Sequence, residues 1–365
     1  MAFEEAPQTS GDRAKGYLRS AGHSTRMFLR VMRANPLTFI GFIMVVAICA
    51  VAVIMLTAPH LLTPYGNNDP TTDYAAPPSW QHPMGTDSGG LDIYAEVLYA
   101  VPVDLFIAMA IAGVALLFGG ALGLIAGFWD EPGTAGGWAS VIILRITDIF
   151  LSYPSLILAL AIAVSLGRGI WQLIVAILVT WWPYYVRLVR GEVLAIKHLP
   201  YVTAARAAGV ANTRIVSRHI VRNVLEPVVV YFTLDIGTVL VTLSTIGFVG
   251  LGLNYPITPE WGSMISTYQG AGLITAYPWT VLGPGLAIFV TVLAFSLLGD
   301  GLRDILDPRS RRVLAGEGGG PSTSVAEKQE EAQDTAAEIS PPEVAEGSEG
   351  GPAPVPSAAG GGSGS

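Results

Sequence analysis

The chain has 365 residues, of which 51% are apolar and only 13% are charged. Because a soluble globular domain usually carries about 25% charged residues, this composition indicates an integral membrane protein. The formal net charge of −8 excludes a basic nucleic-acid-binding protein, and the single cysteine, Cys49, excludes a disulfide framework and a Cys-based metal or redox motif.

The first 36 residues are polar, carry six Lys and Arg and lack a cleavage-site pattern, so they predict a cytoplasmic basic segment before an uncleaved membrane anchor. Six apolar runs follow, each long enough for a bilayer, which needs about 20 residues. The predicted fold is an all-α polytopic membrane protein whose six transmembrane helices form one domain over 37–312. The runs cover 37–58, 103–128, 139–165, 170–189, 224–250 and 279–299.

The distribution of Lys and Arg predicts the orientation of these helices. Both residue types are absent from the connections 59–102 and 251–278, whereas the connection 190–223 contains six. Positive residues collect on the cytoplasmic side of a membrane. We therefore expect a multi-pass protein of the cytoplasmic (inner) cell membrane with both termini in the cytoplasm; Arg168, in a short turn, is the one exception to this pattern.

The connection 59–102 contains five acids, several prolines and a glycine doublet, so it predicts a folded external loop rather than a helix. Two interpretations stay open for it. The loop could receive an external solute-binding protein, or it could be a merely solvated acidic surface.

Small residues recur every four positions in the second run, at Gly119, Gly123 and Gly127, and predict close approach of a neighbouring helix. Pro154 and Pro183 are expected to bend the third and fourth runs.

The third run also carries two charged residues inside its apolar stretch. Arg145 and Asp148 stand three residues apart, on one face of a helix, and are predicted to form a structural ion pair.

The connection 190–223 contains a short helix with clear start and stop signals. Pro200 suits the first turn of a helix and Gly209 the position just after its end, with four alanines between them. Its small side chains predict a docking surface for another protein. Arg214, Arg218 and Arg222 follow at four-residue spacing, and for them contact with lipid headgroups is favoured.

Asp235 lies about 11 residues into the fifth run, near the middle of the membrane by this count. An acid at such a depth is costly unless it is paired or faces water. It is therefore either a translocation-pathway residue that meets a cationic or polar solute, or a paired or protonated acid between helices.

The C-terminal segment 313–365 accounts for the whole net charge. Residues 1–312 contain 19 bases and 19 acids, whereas this segment contains one base and nine acids. It has no aromatic residue and is rich in Gly, Pro, Ser and Ala, which predicts a disordered acidic cytoplasmic tail. Its end, 360–365, resembles an expression linker, and a natural low-complexity end is the alternative.

Motifs for energy conversion and catalysis are missing from the chain. It has no phosphate-binding P-loop, no H-E-x-x-H motif and no visible internal repeat. If a solute crosses the membrane through this protein, we expect the energy to come from other chains. A stand-alone channel or secondary transporter is the more remote alternative.

The docking loop, 201–209 with 215–220, resembles the EAA loop of bacterial ABC importer permeases. Further motifs in the same order resemble the C-type subunit of the dipeptide/oligopeptide/nickel group. The external motif consists of Gly85, Thr86, Asp87, Gly90 and Asp92, and the other matching stretches are Asn35–Pro36, 61–65, 148–154, 250–253, 256–262 and 297–309.

This resemblance implies the type I ABC importer fold and a set of partners. The partners are a second, B-type permease, two cytoplasmic ATPases, an extracytoplasmic solute-binding protein and the lipid bilayer, but no nucleic acid. ATP and Mg would be bound by the ATPases, with no cofactor and no catalytic or metal site on this chain. The coupling helix would dock on one ATPase through Pro200, Tyr201, Thr203, Ala204, Ala205, Arg206, Ala208 and Gly209.

Three positions depart from the family pattern. Thr203 stands where the EAA loop usually has Glu, Leu91 where the external motif often has Arg, and Leu243 where many members have Glu in the fifth run. Di- and oligopeptides are the substrates that the resemblance implies. Nickel chelates, oligosaccharides and haem are alternatives for the same architecture.

Overall fold

A computed structural model describes residues 36–270, 272 and 274–306 of the chain. The predictions for the N-terminal basic segment, up to residue 35, and for the acidic tail concern residues outside these ranges. Within the described residues the structure is helical and contains no strand, only an isolated bridge between Thr86 and Asp92.

Nine helices make up the described part of the chain. They are α1 (Pro36–Thr57), α2 (Ile93–Phe128), α3 (Ala135–Leu151), α4 (Ser155–Leu166), α5 (Ile170–Ile196), α6 (Pro200–Ala207), α7 (Asn212–Leu251), α8 (Trp261–Gly270) and α9 (Trp279–Leu306). The segment α7 contains two five-residue π-helical stretches, Val216–Ile220 and Gly247–Leu251. A 3₁₀ turn, Pro59–Leu61, follows α1.

The helices match the predicted all-α fold with six membrane crossings. Five of them, α1, α2, α5, α7 and α9, are individually long and apolar enough to span a bilayer. The pair α3 and α4 passes the same test together and is bent by 83° at the break before Ser155, so the pair counts as the remaining crossing.

The two prolines predicted to bend helices behave differently. Pro154 precedes α4 as its N-cap residue and stands at the sharp break. Pro183 lies inside α5, which continues as one helix from Ile170 to Ile196. Pro183 therefore does not interrupt the fourth run, and the bend expected there stays a prediction.

The second crossing begins ten residues earlier than the apolar run predicted. The helix starts at Ile93, where the Asp92 side chain accepts a hydrogen bond from the Ala95 N–H at 2.7 Å and caps the helix. The residues before position 103 contain Glu96 and Pro102, which hid the helix from a search for apolar residues. The external loop therefore ends at Asp92, and the prediction of a non-helical loop up to residue 102 is wrong.

The predicted ion pair between Arg145 and Asp148 is also wrong. Asp148 accepts a hydrogen bond from Nη2 of Arg187 on α5 at 2.8 Å, and Arg145 is exposed. Helical spacing makes a pair possible, but the packing of α3 against α5 offers Asp148 a better partner.

The glycines at positions 119, 123 and 127 lie where α2 packs on α5. An added Cβ would meet the Trp182 carbonyl at Gly119, Cβ of Val189 at 2.9 Å at Gly123, and Cβ of Val193 at 2.7 Å at Gly127. The two helices therefore approach each other too closely for any side chain at these positions.

Charge divides the bundle into two ends. We call the end that carries Arg187, Arg190, Lys197 and α6 the basic end. The opposite end, formed by residues 58–92 and the connection 252–278, contains no Lys or Arg, and we call it the acidic end.

Candidate functional site

The short helix α6 at the basic end has the start and the end that its sequence predicts. Pro200 is its first residue. At its end the Gly209 N–H donates to the Arg206 carbonyl at 3.0 Å, and the Val210 N–H donates to the Ala205 carbonyl at 3.1 Å. This pair of bonds is the Schellman motif, which needs a left-handed residue, and Gly209 supplies it with φ of +76°.

A single buried side chain anchors α6 to the bundle. Val202 is fully buried in a hydrophobic cluster whose other members come from the ends of α2, α5 and α7: Phe128, Val189, Val193, Ile215, Ile220, Val224 and Val228. The opposite face of α6 is exposed and carries Pro200, Ala204, Ala207 and Ala208. The helix therefore offers a flat, small-residue surface while remaining attached to three crossings.

Two of the predicted docking residues also contact the bundle, although Arg206 is exposed. Ala205 packs against the Val202 cluster, and the guanidinium of Arg206 lies 5.3 Å from the centre of the Phe128 ring. Arg206 Nη1 is also 4.0 Å from a carboxylate oxygen of Glu131. These residues hold α6 in position, because they lie on its flanks rather than on its exposed face.

Tyr201 and Thr203 are exposed and make local bonds. The Tyr201 hydroxyl accepts a hydrogen bond from the Asn223 amide at 3.0 Å, which ties α6 to α7. The Thr203 hydroxyl donates to the Leu199 carbonyl at 3.3 Å. Where the EAA pattern usually has a glutamate, this chain thus presents a neutral side chain.

Two further contacts at the basic end were missed from the sequence. Lys197, mostly buried, donates from Nζ to the Gly127 carbonyl at 3.0 Å. Asp130 accepts a hydrogen bond from Arg190 Nη2 at 2.8 Å. Both link the end of α2 and its following turn to α5, so they brace the platform on which α6 lies. The acids Asp130 and Glu131 in the turn 129–134 were the sequence feature that could have indicated ion pairs at this end.

The predicted arginine stripe is exposed. Arg214, Arg218 and Arg222 lie on the first turns of α7, and Arg218 falls within the π-helical stretch.

Asp235 lies between α5 and α7 and is 4% exposed. Its two carboxylate oxygens accept hydrogen bonds from the Trp181 indole N–H, at 2.9 and 3.0 Å, and from the Tyr185 hydroxyl at 2.8 Å. The carboxylate is therefore satisfied by aromatic donors of the neighbouring helix.

The depth predicted for Asp235, near the middle of the membrane, stays a prediction. In the structure its neighbour Leu234 contacts Gly299, so this part of α7 packs against α9.

A cleft of about 510 Å³ opens near this acid, between α5, α7 and α9. Tyr231 lines it and packs edge-on against Tyr185, with ring centres 5.3 Å apart. Its charged lining residues are Glu226 and Arg303. Tyr231 and Tyr185 therefore connect the cleft to Asp235.

At the acidic end, the external motif folds the loop onto the start of α2. The Asp87 carboxylate accepts hydrogen bonds from the Gly89 and Leu91 N–H groups, both at 2.8 Å. Thr86 donates to the Asp73 carbonyl at 2.5 Å, and its own carbonyl accepts from the Trp279 indole at 3.1 Å. These bonds make the motif a structural element.

The two glycines of the motif are close to other backbone segments. The Gly85 carbonyl accepts a hydrogen bond from the Ile93 N–H at 3.1 Å. Gly90 has φ of +82°, and its carbonyl accepts from the Thr71 N–H at 2.8 Å. A side chain at Gly90 would both strain the backbone and meet the Thr71 carbonyl.

His82, which precedes this motif in the same loop, was missed as a contact residue. It is 3% exposed, its Nδ1 lies 2.6 Å from Asp92, and its Nε2 lies 3.4 Å from Asp73. The interpretation of the loop as a merely solvated acidic surface is therefore wrong, since Asp87, Asp92 and Glu96 are buried and hydrogen-bonded.

A second group of buried acids at this end was also missed. Glu260, fully buried, accepts from the N–H groups of Gly262 and Ser263, and burial raises the pKa of Glu260. Asp104 on α2 accepts from the Trp261 N–H at 3.1 Å. The Asp104 contact ties α8 to the bundle across 157 residues of sequence, which no local pattern could reveal.

Among residues 36–270, 272 and 274–306, no cluster of three or more His, Cys, Asp or Glu side chains could hold a metal ion.

The comparisons with known proteins agree on one family. A profile described as binding-protein-dependent transport system inner membrane component matches residues 119–312. A dipeptide transport system permease of Alkalihalophilus pseudofirmus is 37% identical over 287 residues, which are 78% of this chain and 90% of the relative. An oligopeptide transport system permease of Bacillus subtilis is 34% identical over 310 residues, covering 85% and 97%.

Two further similarities are more limited. A glutathione transport system permease of Pectobacterium atrosepticum is 39% identical over 232 residues, which cover 64% of this chain and 74% of the relative. Among solved structures, the inward-facing MetNI methionine ABC transporter matches 55% of this chain and 94% of its own, with a TM-score of 0.43 and 21% identity.

Proposed function

The chain belongs to the binding-protein-dependent transport system inner membrane components, and on that basis we propose how it works in an ATP-driven importer. It pairs with a second, homologous B-type permease to form the solute pathway. Two ATPase subunits or domains bind ATP and Mg and hydrolyse the ATP, so this chain is a transport subunit and not an enzyme. An extracytoplasmic solute-binding protein delivers the solute.

One observation carries this proposal, namely the exposed face of α6. The face consists of small residues, Ala204, Ala207 and Ala208, with no charge and no long side chain to keep another protein at a distance. The helix has a well-defined end at Gly209, and Val202 is its one fully buried anchor. Such a surface suits insertion into a groove of an ATPase, and we assign α6 the role of coupling helix.

The contacts of α6 also suggest how motion is transmitted. Val202 packs with residues of α2, α5 and α7 at once. A displacement of α6 by the closing ATPases would therefore move the basic ends of three crossings together, because a packed core transmits strain instead of absorbing it. This movement would switch the pathway between its inward- and outward-facing states.

The proposed orientation follows from the same assignment. ATP is cytoplasmic, so the basic end and both termini lie in the cytoplasm, and the acidic end faces outward. The charge distribution supports this, since every Lys and Arg among the described residues except Arg168 lies at the basic end or in the crossings next to it.

For Asp235 the contacts favour the interhelical role. Its oxygens are occupied by Trp181 and Tyr185, and 4% exposure leaves little surface for a solute. A pathway role remains a prediction for a conformation in which α5 and α7 separate. The nearby cleft with Glu226 and Arg303 is the more accessible candidate surface in the conformation described.

We further propose that the solutes are di- or oligopeptides. Support comes from the relatives, which are named as dipeptide, oligopeptide and glutathione permeases. The departures from the family pattern at Leu91 and Leu243 do not favour another class of substrate. Uptake of labelled peptides, nickel chelates, oligosaccharides and haem by the complete transporter, compared in one assay, tests this choice; uptake of a non-peptide alone would contradict it.

The docking role of α6 is tested by placing a charge on its exposed face. Ala204→Glu should lower ATP hydrolysis stimulated by the solute-binding protein at least tenfold in the reconstituted transporter, because the carboxylate would be buried unpaired in the groove. Membrane insertion should be unchanged, since the side chain faces away from the bundle.

Ala135→Glu is the matched control. It introduces the same charge at an exposed position of the basic end, where an acid at the start of α3 is favourable. Normal stimulation in Ala204→Glu would contradict the docking role. Solute flux through the chain in liposomes without an ATPase would contradict the subunit function and favour a channel or secondary transporter.

A further inference from the structure

The acidic end carries a turn that presents one tryptophan to solvent. The Ser79 N–H donates to the His82 carbonyl at 2.8 Å, and the His82 N–H donates to the Ser79 hydroxyl at 3.1 Å. Between them Trp80 is fully exposed, with a relative exposure of 103%. Pro78 and Pro83 flank the turn and restrict its backbone.

The base of this turn is fixed to the bundle. The buried ring of His82 lies 2.6 Å from Asp92 and stacks on Tyr65 with ring centres 5.2 Å apart. Asp92 in turn caps α2, the longest unbroken α-helix described. The Gly85 N–H also donates to the His82 carbonyl at 2.9 Å. The turn is therefore held at its base while its tip makes no contact that would cover the indole.

A rigid, exposed tryptophan is costly in water and well suited to binding. It buries a large apolar area on contact, and its fixed backbone lowers the entropy lost on association. Tryptophan is among the residues that most often dominate the energy of a protein interface. Beside it lies an open hollow of about 520 Å³, lined by Pro78, Ser79, Trp80 and Pro83, which can receive a side chain of the partner.

The charge around the turn restricts the partner. Asp69 and Asp73 are exposed in this loop, and neither 58–92 nor 252–278 contains a Lys or Arg. A complementary surface would hold an apolar pocket for the indole with basic residues at its rim.

We infer that the turn 78–83 is an anchor for the extracytoplasmic solute-binding protein and that Trp80 inserts into an apolar pocket of that protein. This inference rests on the proposed function, which supplies the partner and places the acidic end outside. Lipid is the less suitable occupant, because Trp80 is the only large exposed apolar side chain of the turn and its exposed neighbours are prolines, Ser79 and Gln81.

The experiment measures binding to the complete transporter in nanodiscs. The probe is the solute-binding protein that stimulates ATP hydrolysis by the wild-type transporter. Trp80→Ala should weaken its binding about 30-fold or more, the loss typical of a dominant interface residue, and Trp80→Phe should weaken it less. Asp69→Asn should reduce the salt dependence of binding, since it removes one exposed charge of the same loop.

Trp171→Ala is the matched control, because Trp171 is 70% exposed at the start of α5 and lies outside the turn. Unchanged affinity in Trp80→Ala, or an equal loss in Trp171→Ala, would overturn the inference and leave the proposed function intact. Loss of assembly with the second permease in Trp80→Ala would also overturn it. A wild-type transporter that responds to no solute-binding protein would contradict the proposed function itself.

Discussion

The two ends of the bundle handle their charges in opposite ways. At the acidic end, Asp92 is 2% exposed and is held by a histidine and a backbone N–H. At the basic end, Arg187 and Asp148 form an ion pair whose side chains are 57% and 50% exposed. The acidic end buries Asp87, Asp92 and Glu260 in a network of specific hydrogen bonds, whereas the ion pair of the basic end is half exposed.

This difference bears on what each end can do. A buried carboxylate with fixed donors costs a great deal to rearrange, because any lost bond leaves a charge or a donor unsatisfied. An exposed ion pair costs little to break. We therefore expect the acidic end to be a rigid platform and the basic end, with α6 held by Val202, to be the part that moves.

The largest expected effect comes from removing the central acid of the platform. Asp92→Ala deletes the cap of α2 and leaves His82 without its closest partner, and it should lower the free energy of unfolding by about 2–4 kcal/mol. Thermal unfolding of the purified transporter in detergent measures the loss.

Asp92→Asn serves as the control for this change. Asparagine can still cap the helix, so this variant should lose only the part of the free energy of unfolding that the His82 contact contributes. If Asp92→Ala and Asp92→Asn both lower the free energy of unfolding only slightly and to the same extent, the platform does not depend on this acid.

A smaller effect should appear as a pH dependence of the stability of the acidic end. Burial raises the pKa of Asp87, so the folded state holds this proton more tightly than the unfolded state. The resulting stabilisation is complete below the ordinary aspartate pKa of about 3.9 and is lost as the pH rises through the elevated value.

Asp87→Asn should flatten this part of the pH profile of the melting temperature. Its side-chain oxygen can still accept from the N–H groups of Gly89 and Leu91, so the loop should keep its fold. Asp69→Asn, at an exposed position of the same loop, should leave the profile unchanged. An identical pH profile in wild type and Asp87→Asn would show that Asp87 does not contribute.

The smallest effect is expected at the exposed ion pair. Asp148→Asn should lower the free energy of unfolding by less than about 1 kcal/mol, and the difference should shrink further at high salt. A loss comparable to that of Asp92→Ala would remove the contrast between the two ends.

Local features of the fold were predictable because they depend on nearby residues. Apolar runs of bilayer length located the crossings, and Pro200 and Gly209 located α6 to within a residue or two. The start of α2 was missed, since Glu96 and Pro102 interrupt the apolar pattern and the helix is held there by a cap and by loop contacts instead.

Partners across the fold were not predictable in the same way. Asp148 has a possible partner three residues away, yet it bonds to Arg187, 39 residues later. Asp235 meets Trp181 and Tyr185 across about 50 residues, and neither aromatic residue stands out among the many in the chain. The number of residues that could contact a given side chain grows with sequence separation. Helical spacing identifies only the candidates three or four residues away.

The sequence by itself determined that the chain is an all-helical membrane protein with six crossings, a basic end and an acidic end, and a short capped helix between the fourth and fifth crossings. Those features follow from hydrophobicity, charge and capping, which act over a few residues. Only the tertiary structure decided which acids are buried, that Ala205 and Arg206 contact the bundle, and that His82 holds a turn with Trp80 at its tip. Burial and pairing depend on which helices meet, and that is a property of the packed bundle.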